Sequence, residues 1–159
     1  MNMRIDADAS SELRWFGNTL VSVNLSSSAG ADGISVIEHW MPFGDATPLH
    51  VHHREDEIFH ILEGEMRFRI GDRDITARAG ETLLAPKGVP HAYRVESVLG
   101  ARCLTIMKGS DFETMVKAAS RPAAHPDLPE AMAPTPDMID TLVRICAENR
   151  IDIVGPPLG

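Results

Sequence analysis

The amino-acid sequence predicts an all-β protein, a β-sandwich or jelly-roll barrel, that ends in a helical tail. Apolar and charged residues alternate in short segments, as where Met66, Phe68 and Ile70 are separated by Arg67 and Arg69. This period of two is typical of strands with one buried face. Turn-forming residues separate such segments at close spacing, and after about residue 110 the apolar spacing becomes helical. Many short strands with close turns are typical of sandwiches and barrels.

The predicted strands follow one another through the middle of the chain. Glycine, proline and serine mark the turns between them, such as the Ser/Ala/Gly-rich loop 26–33 and the hairpin turn at 71–72. The predicted segments, in chain order, are one or two strands within 14–25, then 34–41, 56–62, 66–70, 73–77, 82–85, 91–95 and 101–107. The barrel implied by them, with an N-terminal strand arm, makes residues 1–109 one unit.

The tail, residues 110–159, is predicted to be a helical extension packed on the barrel. Ser110 and Glu113 have the spacing of a capping box, which predicts a short helix to about residue 120. A proline-rich connector, 121–134, follows, and Thr135-Pro136 begins a second helix. That helix carries an apolar stripe that needs a surface to bury against, either the barrel mouth or a neighbouring subunit. The stripe consists of Ile139, Leu142, Val143 and Cys146.

Two segments hold side chains that ligate metals, at spacings that strands can use. The first reads Gly-x5-His-x-His-x4-Glu-x6-Gly from Gly44 to Gly64, and the second reads Gly-x5-Pro-x-Gly-x2-His from Gly80 to His91. Alternate residues of a strand share a face, so His50 and His52 point the same way. Imidazoles and a carboxylate that meet inside a barrel suit Fe(II), Mn(II), Ni(II), Cu(II) or Zn(II). Neither segment contains cysteine, which excludes a thiolate site.

These two patterns resemble those of the cupin superfamily, whose fold is a double-stranded β-helix, or jelly-roll barrel. Every position of both patterns is filled, except that Val95 stands where cupins often carry an asparagine that is not a ligand. Carried over residue by residue, the resemblance makes one divalent transition metal the expected cofactor. Its implied ligands are His50, His52, Glu57 and His91. The motif is specific for the fold and weakly specific for the reaction, because cupins carry out many reactions.

The strand phase predicts candidate walls for a substrate pocket. If Glu57 points inward, Phe59 and Ile61 do as well, and if His91 points inward, so do Tyr93 and Val95. Such an apolar lining favours a small organic substrate over a bare sugar. Core packing is the alternative for these four residues, and it is the stronger one for Ile61 and Val95. Tyr93 is also a candidate catalytic proton or hydrogen-bond donor near the metal.

Other titratable residues near the motif are interpreted as structural. Glu55 and Asp56 fall outside the ligand spacing and are expected to be solvated turn residues. His53 and His60 are expected to project from the face opposite the ligands, on the outer surface or at a subunit contact. The strand that carries His39 leaves the direction of its side chain undetermined.

Composition excludes several classes of partner. The 159 residues carry a formal net charge of −8, and the pI is about 5.3, which argues against nucleic acid and anionic membranes. Without an apolar signal core or membrane span, and with two cysteines that form no framework, a cytoplasmic protein is expected. The N-terminal strands have no obvious partner in the barrel, so a homodimer that exchanges this arm is a hypothesis.

The functional hypotheses fall into two classes. The tail ends in Gly-Pro-Pro-Leu, as in small single-barrel cupins described as similar to quercetin dioxygenases. The resemblance therefore implies a metal-dependent dioxygenase-like oxidoreductase, in which Glu57 can act as a base as well as a ligand. The alternative is a non-enzymatic cupin that binds or senses a small molecule through the metal. A metal-assisted isomerase or cyclase is the third hypothesis.

Overall fold

A computed structural model describes residues 12–159 of the chain, as twelve strands and two helices. The predicted polar start of the N-terminal arm falls within residues 1–11 and lies outside the described residues. The strands are β1 Leu13–Phe16, β2 Thr19–Leu25, β3 Ile34–Met41, β4 Pro48–His52, β5 Glu57–Glu63, β6 Glu65–Ile70, β7 Arg73–Arg78, β8 Thr82–Ala85, β9 His91–Val95, β10 Ala101–Lys108, β11 Arg121–Pro122 and β12 Ile151–Pro157. The helices are α1 Asp111–Ala119 and α2 Pro136–Glu148.

Two antiparallel sheets form the barrel, and this confirms the predicted all-β fold. The first sheet has the order β11-β1-β2-β3-β10-β5-β8, and the second has the order β12-β4-β9-β6-β7. Every strand predicted between 34 and 107 is present, with bounds that differ from the prediction by at most one residue. In β6 the side chains of Met66, Phe68 and Ile70 are buried while Arg67 and Arg69 face outward, as alternation requires.

The two N-terminal strands pair within their own chain, which corrects the premise of the arm-exchange hypothesis. Strand β1 pairs with β2, and β2 pairs with β3 along most of its length, so the arm extends the larger sheet. The short strand β11 covers the other edge of β1. Because these strands have partners, they leave no requirement for a second subunit, and a homodimer stays a prediction.

An apolar cluster closes one end of the barrel. The rings of Phe59 and Phe68 pack at 4.9 Å between centroids, and Ile61, Met66 and Val95 are fully buried beside them. These side chains come from both sheets, so the cluster holds the two layers together. Burying a large apolar side chain contributes roughly 1.5–3 kcal/mol each.

The tail packs on the opposite end of the barrel and includes a strand that the sequence pattern does not predict. Strand β12 pairs with β4, with Ile151 opposite His52 and Ile153 opposite His50. Both helices contribute to a second apolar cluster with β12, β2, β3 and β10. Neither helix found in residues 12–159 has the length and apolar character needed to cross a membrane.

The two helices begin where the sequence predicts, but only one has the predicted cap. The Thr135 side chain accepts a hydrogen bond from the backbone N–H of Met138 at 3.3 Å, and Pro136 occupies the first helical position. Ser110 makes no such bond to α1, so the capping-box prediction is wrong. The carboxylate of Glu113 instead accepts hydrogen bonds from Ser26 and Ser27, and so ties α1 to the loop after β2.

Candidate metal centre

Three strands from two sheets bring the four predicted ligands together inside the barrel. His50 and His52 lie on β4, and His91 lies on β9, where it pairs in register with His50. Glu57 begins β5 in the facing sheet. Alternation turns all four side chains inward, and His52, Glu57 and His91 are each at most 2% exposed.

The donor atoms of this cluster lie close enough to share one ion. One ligand atom from each residue lies within 4.8 Å of every other. The Oε2 atom of Glu57 lies 2.8 Å from Nε2 of His91 and 3.0 Å from Nε2 of His52. The rings of His50 and His91 are 4.4 Å apart between centroids. This spacing is compatible with ligands at roughly 2.0–2.2 Å from a central metal.

The protonation states of the cluster follow from burial and from the shared carboxylate. Burial alone would raise the pKa of Glu57, but the contacts with His52 and His91 hold it well below its usual range. Burial lowers the pKa of His50 to about 4, helped by the neighbouring His91. Burial would also lower the pKa of His91, but its bond to Glu57 leaves the pKa raised. Glu57 is therefore anionic and His50 neutral, as metal ligands must be.

Hydrogen bonding at the far side of two rings orients them for a metal. Nδ1 of His50 lies 2.7 Å from the carbonyl oxygen of Pro48, and Nδ1 of His91 lies 3.2 Å from that of Val89. An imidazole that donates from Nδ1 to a carbonyl presents its Nε2 lone pair to a metal.

His52 provides the sharper test of whether these residues fit a metal. Both of its ring nitrogens are buried and make no hydrogen bond, although Nε2 lies near the carboxylate of Glu57. A buried polar atom without a partner costs roughly 1–3 kcal/mol, so such atoms are rare in the absence of a further ligand. A divalent ion among the four side chains would supply a partner for Nε2, the nitrogen that lies beside Glu57, so the residues present fit a metal.

An apolar cavity of about 70 Å³ adjoins the cluster. The barrel strands contribute one part of its wall, and the tail contributes the other through both helices and β12. The residues that line it are Phe16, His39, Thr47, Pro48, His50, His52, Glu57, Phe59, Tyr93, Cys103, Thr105, Phe112, Met115, Leu142, Cys146, Ile151 and Ile153. No lysine or arginine is among them, so a bound molecule meets no positive side chain.

The structure separates the four predicted pocket residues into two pairs. Phe59 and Tyr93 line the cavity, with ring centroids 6.1 Å apart. Ile61 and Val95 point inward as predicted but lie in the apolar cluster at the closed end, and neither lines the cavity. Their assignment as pocket walls is therefore corrected: alternation fixes the face of a strand, but not how far along it the cavity extends.

Tyr93 keeps its proton in this setting. Burial, with the nearby Asp45, raises the pKa of its phenol well above the usual value. A phenol in this state donates a hydrogen bond and does not act as a base. Its position in the cavity wall leaves the predicted role as a donor open.

His39 is a cavity residue whose direction the sequence left undetermined. It points inward from β3, is 4% exposed and lines the cavity beside Thr105. The signal for it is weak, because both faces of β3 carry apolar residues: Val36 and Trp40 on one, Ile37 and Met41 on the other. In the structure the burial of Ile37 and Met41, which share a face with His39, shows that this face of β3 points inward.

Glu55 is buried, which corrects its assignment as a solvated turn residue. It is 3% exposed, and its Oε1 accepts a hydrogen bond from the backbone N–H of Phe112 at 2.8 Å. It therefore caps α1 from the loop next to the metal ligands and takes the place of the missing Ser110 cap. Asp56, in contrast, is exposed as predicted and accepts a hydrogen bond from the backbone of Lys87.

The two remaining histidines of the motif region face outward. His53 is exposed and lies 2.7 Å from Asp152 on β12. His60 bonds to Thr82 at 2.8 Å on the outer face of the sheet. Both lie on the face opposite the ligands, as alternation predicts, and neither belongs to the cluster.

Comparison with known proteins identifies the family of the barrel. The model of the Cupin domain family matches residues 36–107. A quercetin 2,3-dioxygenase of Bacillus subtilis is 27% identical over 95 residues, which are 60% of this chain and 28% of that enzyme. An uncharacterized protein of Methanocaldococcus jannaschii is 31% identical over 64 residues, which are 40% of this chain and 50% of that protein. The chain thus spans half or less of the length of these two relatives.

The comparison with solved structures supports the same fold. An RmlC-like cupin from Shewanella frigidimarina superposes with a TM-score of 0.53 at 16% identity. The superposition covers 64% of this chain and 86% of that one. At this identity the likeness establishes the architecture and carries no information on the reaction.

Proposed function

Because this chain belongs to the cupin superfamily, we propose that it is a metal-dependent dioxygenase-like oxidoreductase that acts on a small organic molecule. In this proposal His50, His52, Glu57 and His91 hold one divalent transition metal beside the apolar cavity. Both atoms of dioxygen would be incorporated into the bound substrate. The distant relation to a quercetin 2,3-dioxygenase, 27% identical over 95 residues, supports this reaction class over the others.

The observation that carries the proposal is the position of the ligand cluster on the wall of the cavity. Four donors within 4.8 Å of one another leave one or two coordination positions open if the ion is five- or six-coordinate. Three of those donors, His50, His52 and Glu57, also line the cavity, so the open positions face it. A metal with an open position next to a largely apolar pocket is suited to catalysis more than to structure.

The metal, when bound, supplies a Lewis acid and a redox centre for a chelating substrate oxygen and dioxygen. The side chains around it prepare the substrate. Glu57, kept anionic by its two imidazole contacts, would accept the proton of a substrate hydroxyl. Tyr93, kept protonated by burial, would donate a hydrogen bond to the substrate. The rings of Phe59 and Phe112 would exclude water.

The size of the cavity supports a small substrate. Cavities that hold drug-sized ligands have volumes of roughly 300–1,000 Å³, whereas this one has about 70 Å³. A compound with one ring matches that volume better than a three-ring flavonol does. We therefore expect single-ring chelators with an enol or phenol oxygen, such as catechols or hydroxypyranones.

Oxygen uptake by metal-loaded protein tests the proposal. The untagged protein is loaded in turn with Fe(II), Mn(II), Ni(II), Cu(II) and Zn(II) and mixed with single-ring catechols and hydroxypyranones, with flavonols as the larger comparison. Redox-inactive Zn(II) is the matched control, because it fills the same site without supporting reduction of dioxygen. Substrate-dependent uptake with at least one redox-active metal is expected. Binding of these compounds without uptake for any metal would contradict the enzyme proposal.

A binding or sensing module is the second candidate, and the way in which the tail closes the cavity favours it. Leu142, Cys146 and Ile151 of the tail form part of the cavity wall, so a guest could be held rather than released after a reaction. Tight binding of a chelator with no turnover is its expected result. Failure of every compound to perturb the bound metal would contradict both candidates.

A further inference from the structure

His39 occupies the cavity wall on the sheet opposite most of the ligands. It lies on β3, whereas the three ligand histidines lie on β4 and β9 of the other sheet. The ring of Phe112 contacts both sides, with centroids 6.2 Å from His39 and 5.6 Å from His52. A molecule that fills the cavity from the metal side therefore reaches the His39 wall.

The hydrogen bonds around His39 determine which of its nitrogens is free. Nε2 lies 3.0 Å from the hydroxyl oxygen of Thr105, and that hydroxyl donates to the carbonyl oxygen of Ile37 at 3.5 Å. Because the Thr105 proton is directed to Ile37, its oxygen accepts from Nε2–H of His39. Nδ1 then carries a lone pair and not a proton.

That lone pair has no partner among residues 12–159. His39 makes one side-chain hydrogen bond in this part of the chain, the one to Thr105. His39 lines the cavity, and its Nε2 is occupied by Thr105, so Nδ1 is the ring nitrogen left for a bound molecule. An acceptor in a largely apolar wall is suited to a donor on the bound molecule.

The charge of the cavity wall further restricts which group of a bound molecule can donate to Nδ1 of His39. Burial lowers the pKa of His39 to about 4, so the ring is neutral at physiological pH. The cavity lining also holds no lysine or arginine. A carboxylate placed here would be desolvated without a counter-charge, which is costly, whereas a neutral hydroxyl would lose only the bond that His39 restores.

We propose that His39 is a specificity-determining residue that accepts a hydrogen bond from a neutral hydroxyl group of the substrate, at the end away from its metal-chelating oxygens. This inference rests on the proposed metal site and adds the substrate class: small chelators with a distal hydroxyl. His39 would favour these chelators over molecules of the same scaffold that carry a methyl or a carboxylate in place of the distal hydroxyl.

Three probes with one scaffold test the proposal. Allomaltol, kojic acid and comenic acid share a 5-hydroxy-4-pyranone chelating edge and carry methyl, hydroxymethyl and carboxylate, respectively, at ring position 2. Their dissociation constants are measured from the visible absorption of the Co(II)-loaded protein, which reports binding without requiring turnover. A neutral hydrogen bond contributes about 0.5–1.5 kcal/mol, so kojic acid should bind roughly two- to tenfold tighter than allomaltol. Comenic acid should bind most weakly.

Two substitutions at His39 then assign the effect to this residue. His39→Leu removes the acceptor and keeps an apolar wall, so the preference for kojic acid over allomaltol should disappear. His39→Gln retains an acceptor oxygen and should restore part of that preference. Cobalt stoichiometry and circular dichroism verify that each variant is folded and metal-loaded. If neither variant folds, equal binding of allomaltol and kojic acid by the wild-type protein would still overturn the proposal.

The outcomes separate this inference from the proposed function. Equal binding of allomaltol and kojic acid, strongest binding of comenic acid, or a preference that survives in His39→Leu would each overturn the role of His39. If none of the three probes changes the cobalt spectrum of the wild-type protein, the proposed metal-dependent chelation itself is contradicted.

Discussion

The two ends of the barrel are built from the same strands and have opposite character. Strand β5 shows this in three inward residues: Glu57 holds the ligand cluster, Phe59 lines the cavity, and Ile61 lies in the closed apolar end. The inward residues of β9 follow the same order: His91 belongs to the ligand cluster, Tyr93 lines the cavity, and Val95 lies in the closed apolar end. Over five residues along each strand, the interior changes from four convergent polar groups to dense apolar packing.

The difference lies in what closes each end. Residues of the barrel strands themselves, among them Met66 and Phe68, fill the apolar end. The metal end is covered instead by the tail, through Phe112 on α1, Leu142 on α2 and Ile151 on β12. Both ends have a buried apolar cluster, but the end covered by the tail also retains buried groups such as His52 that make no hydrogen bond within the described chain. Functional sites commonly carry such unsatisfied groups.

Truncation at the apolar end should produce the largest effect on stability and sharpen this comparison. Phe68→Ala removes a fully buried ring that packs on Phe59, and should lower the free energy of unfolding by about 3–5 kcal/mol. Leu84→Ala is the control, because Leu84 is 50% exposed and should cost far less. Urea denaturation measures both. A folded Phe68→Ala protein that has lost its metal would show that the two ends are not separable.

Substitution at the end that holds the candidate ligands should affect metal binding more than stability. His52→Ala should weaken metal affinity by about 100-fold or more, beyond the roughly 10–100-fold typical of residues that only orient a ligand. Stability of the metal-free protein should fall less than in Phe68→Ala, because the Glu57 carboxylate loses its contact with His52 but keeps the one with His91. His53→Ala is the matched control, because His53 directly follows β4, is exposed and contacts Asp152, and this variant should retain full metal content. Metal stoichiometry after dialysis is the measurement, and wild-type metal content in His52→Ala would contradict the ligand assignment.

The pH dependence of stability tests the region between the two ends. Burial raises the pKa of Asp45 from 3.8 to about 6, so the folded protein binds this proton more tightly than the unfolded chain does. The resulting stabilisation is complete below pH 4 and is lost as pH rises to about 6. Asp45→Asn should therefore be more stable than wild type above pH 6, by about 1–2 kcal/mol after allowance for partial exposure. If the free energies of unfolding of both proteins change with pH in the same way between pH 4 and 7, this prediction is contradicted.

The smallest effect is expected where the metal loop holds the tail. Glu55→Ala removes the cap of α1 and leaves the backbone N–H of Phe112 unpaired, at a cost of about 1 kcal/mol. Glu55→Gln keeps an acceptor oxygen and should stay close to wild type. Thermal unfolding of the metal-free proteins measures the difference. Equal stability of the Ala and Gln variants would show that this contact does not hold the tail on the metal end.

The fold and the cluster of candidate ligands could be predicted from the sequence because both depend on local patterns. The spacing of His50, His52 and Glu57 and the alternation of β6 are each readable within a few residues. The inward direction of Phe59 on β5 and Tyr93 on β9 followed from alternation in the same way, and both side chains line the cavity.

The remaining features depend on contacts between distant residues. Glu55 is buried because Phe112, far along the chain, supplies a backbone donor to it. Strand β12 forms because β4 has a free edge. The direction of the His39 side chain could not be predicted, because both faces of β3 carry apolar residues. The extent of the cavity, which excludes Ile61 and Val95, depends on how the whole barrel packs.

X-ray absorption spectroscopy of the untagged, metal-loaded protein tests the central claim most directly. We expect about one metal per chain, with nitrogen and oxygen ligands at roughly 2.0–2.2 Å and the multiple-scattering signature of three imidazoles. A spectrum with one imidazole or none, or a protein that retains no transition metal after loading and dialysis, would contradict it.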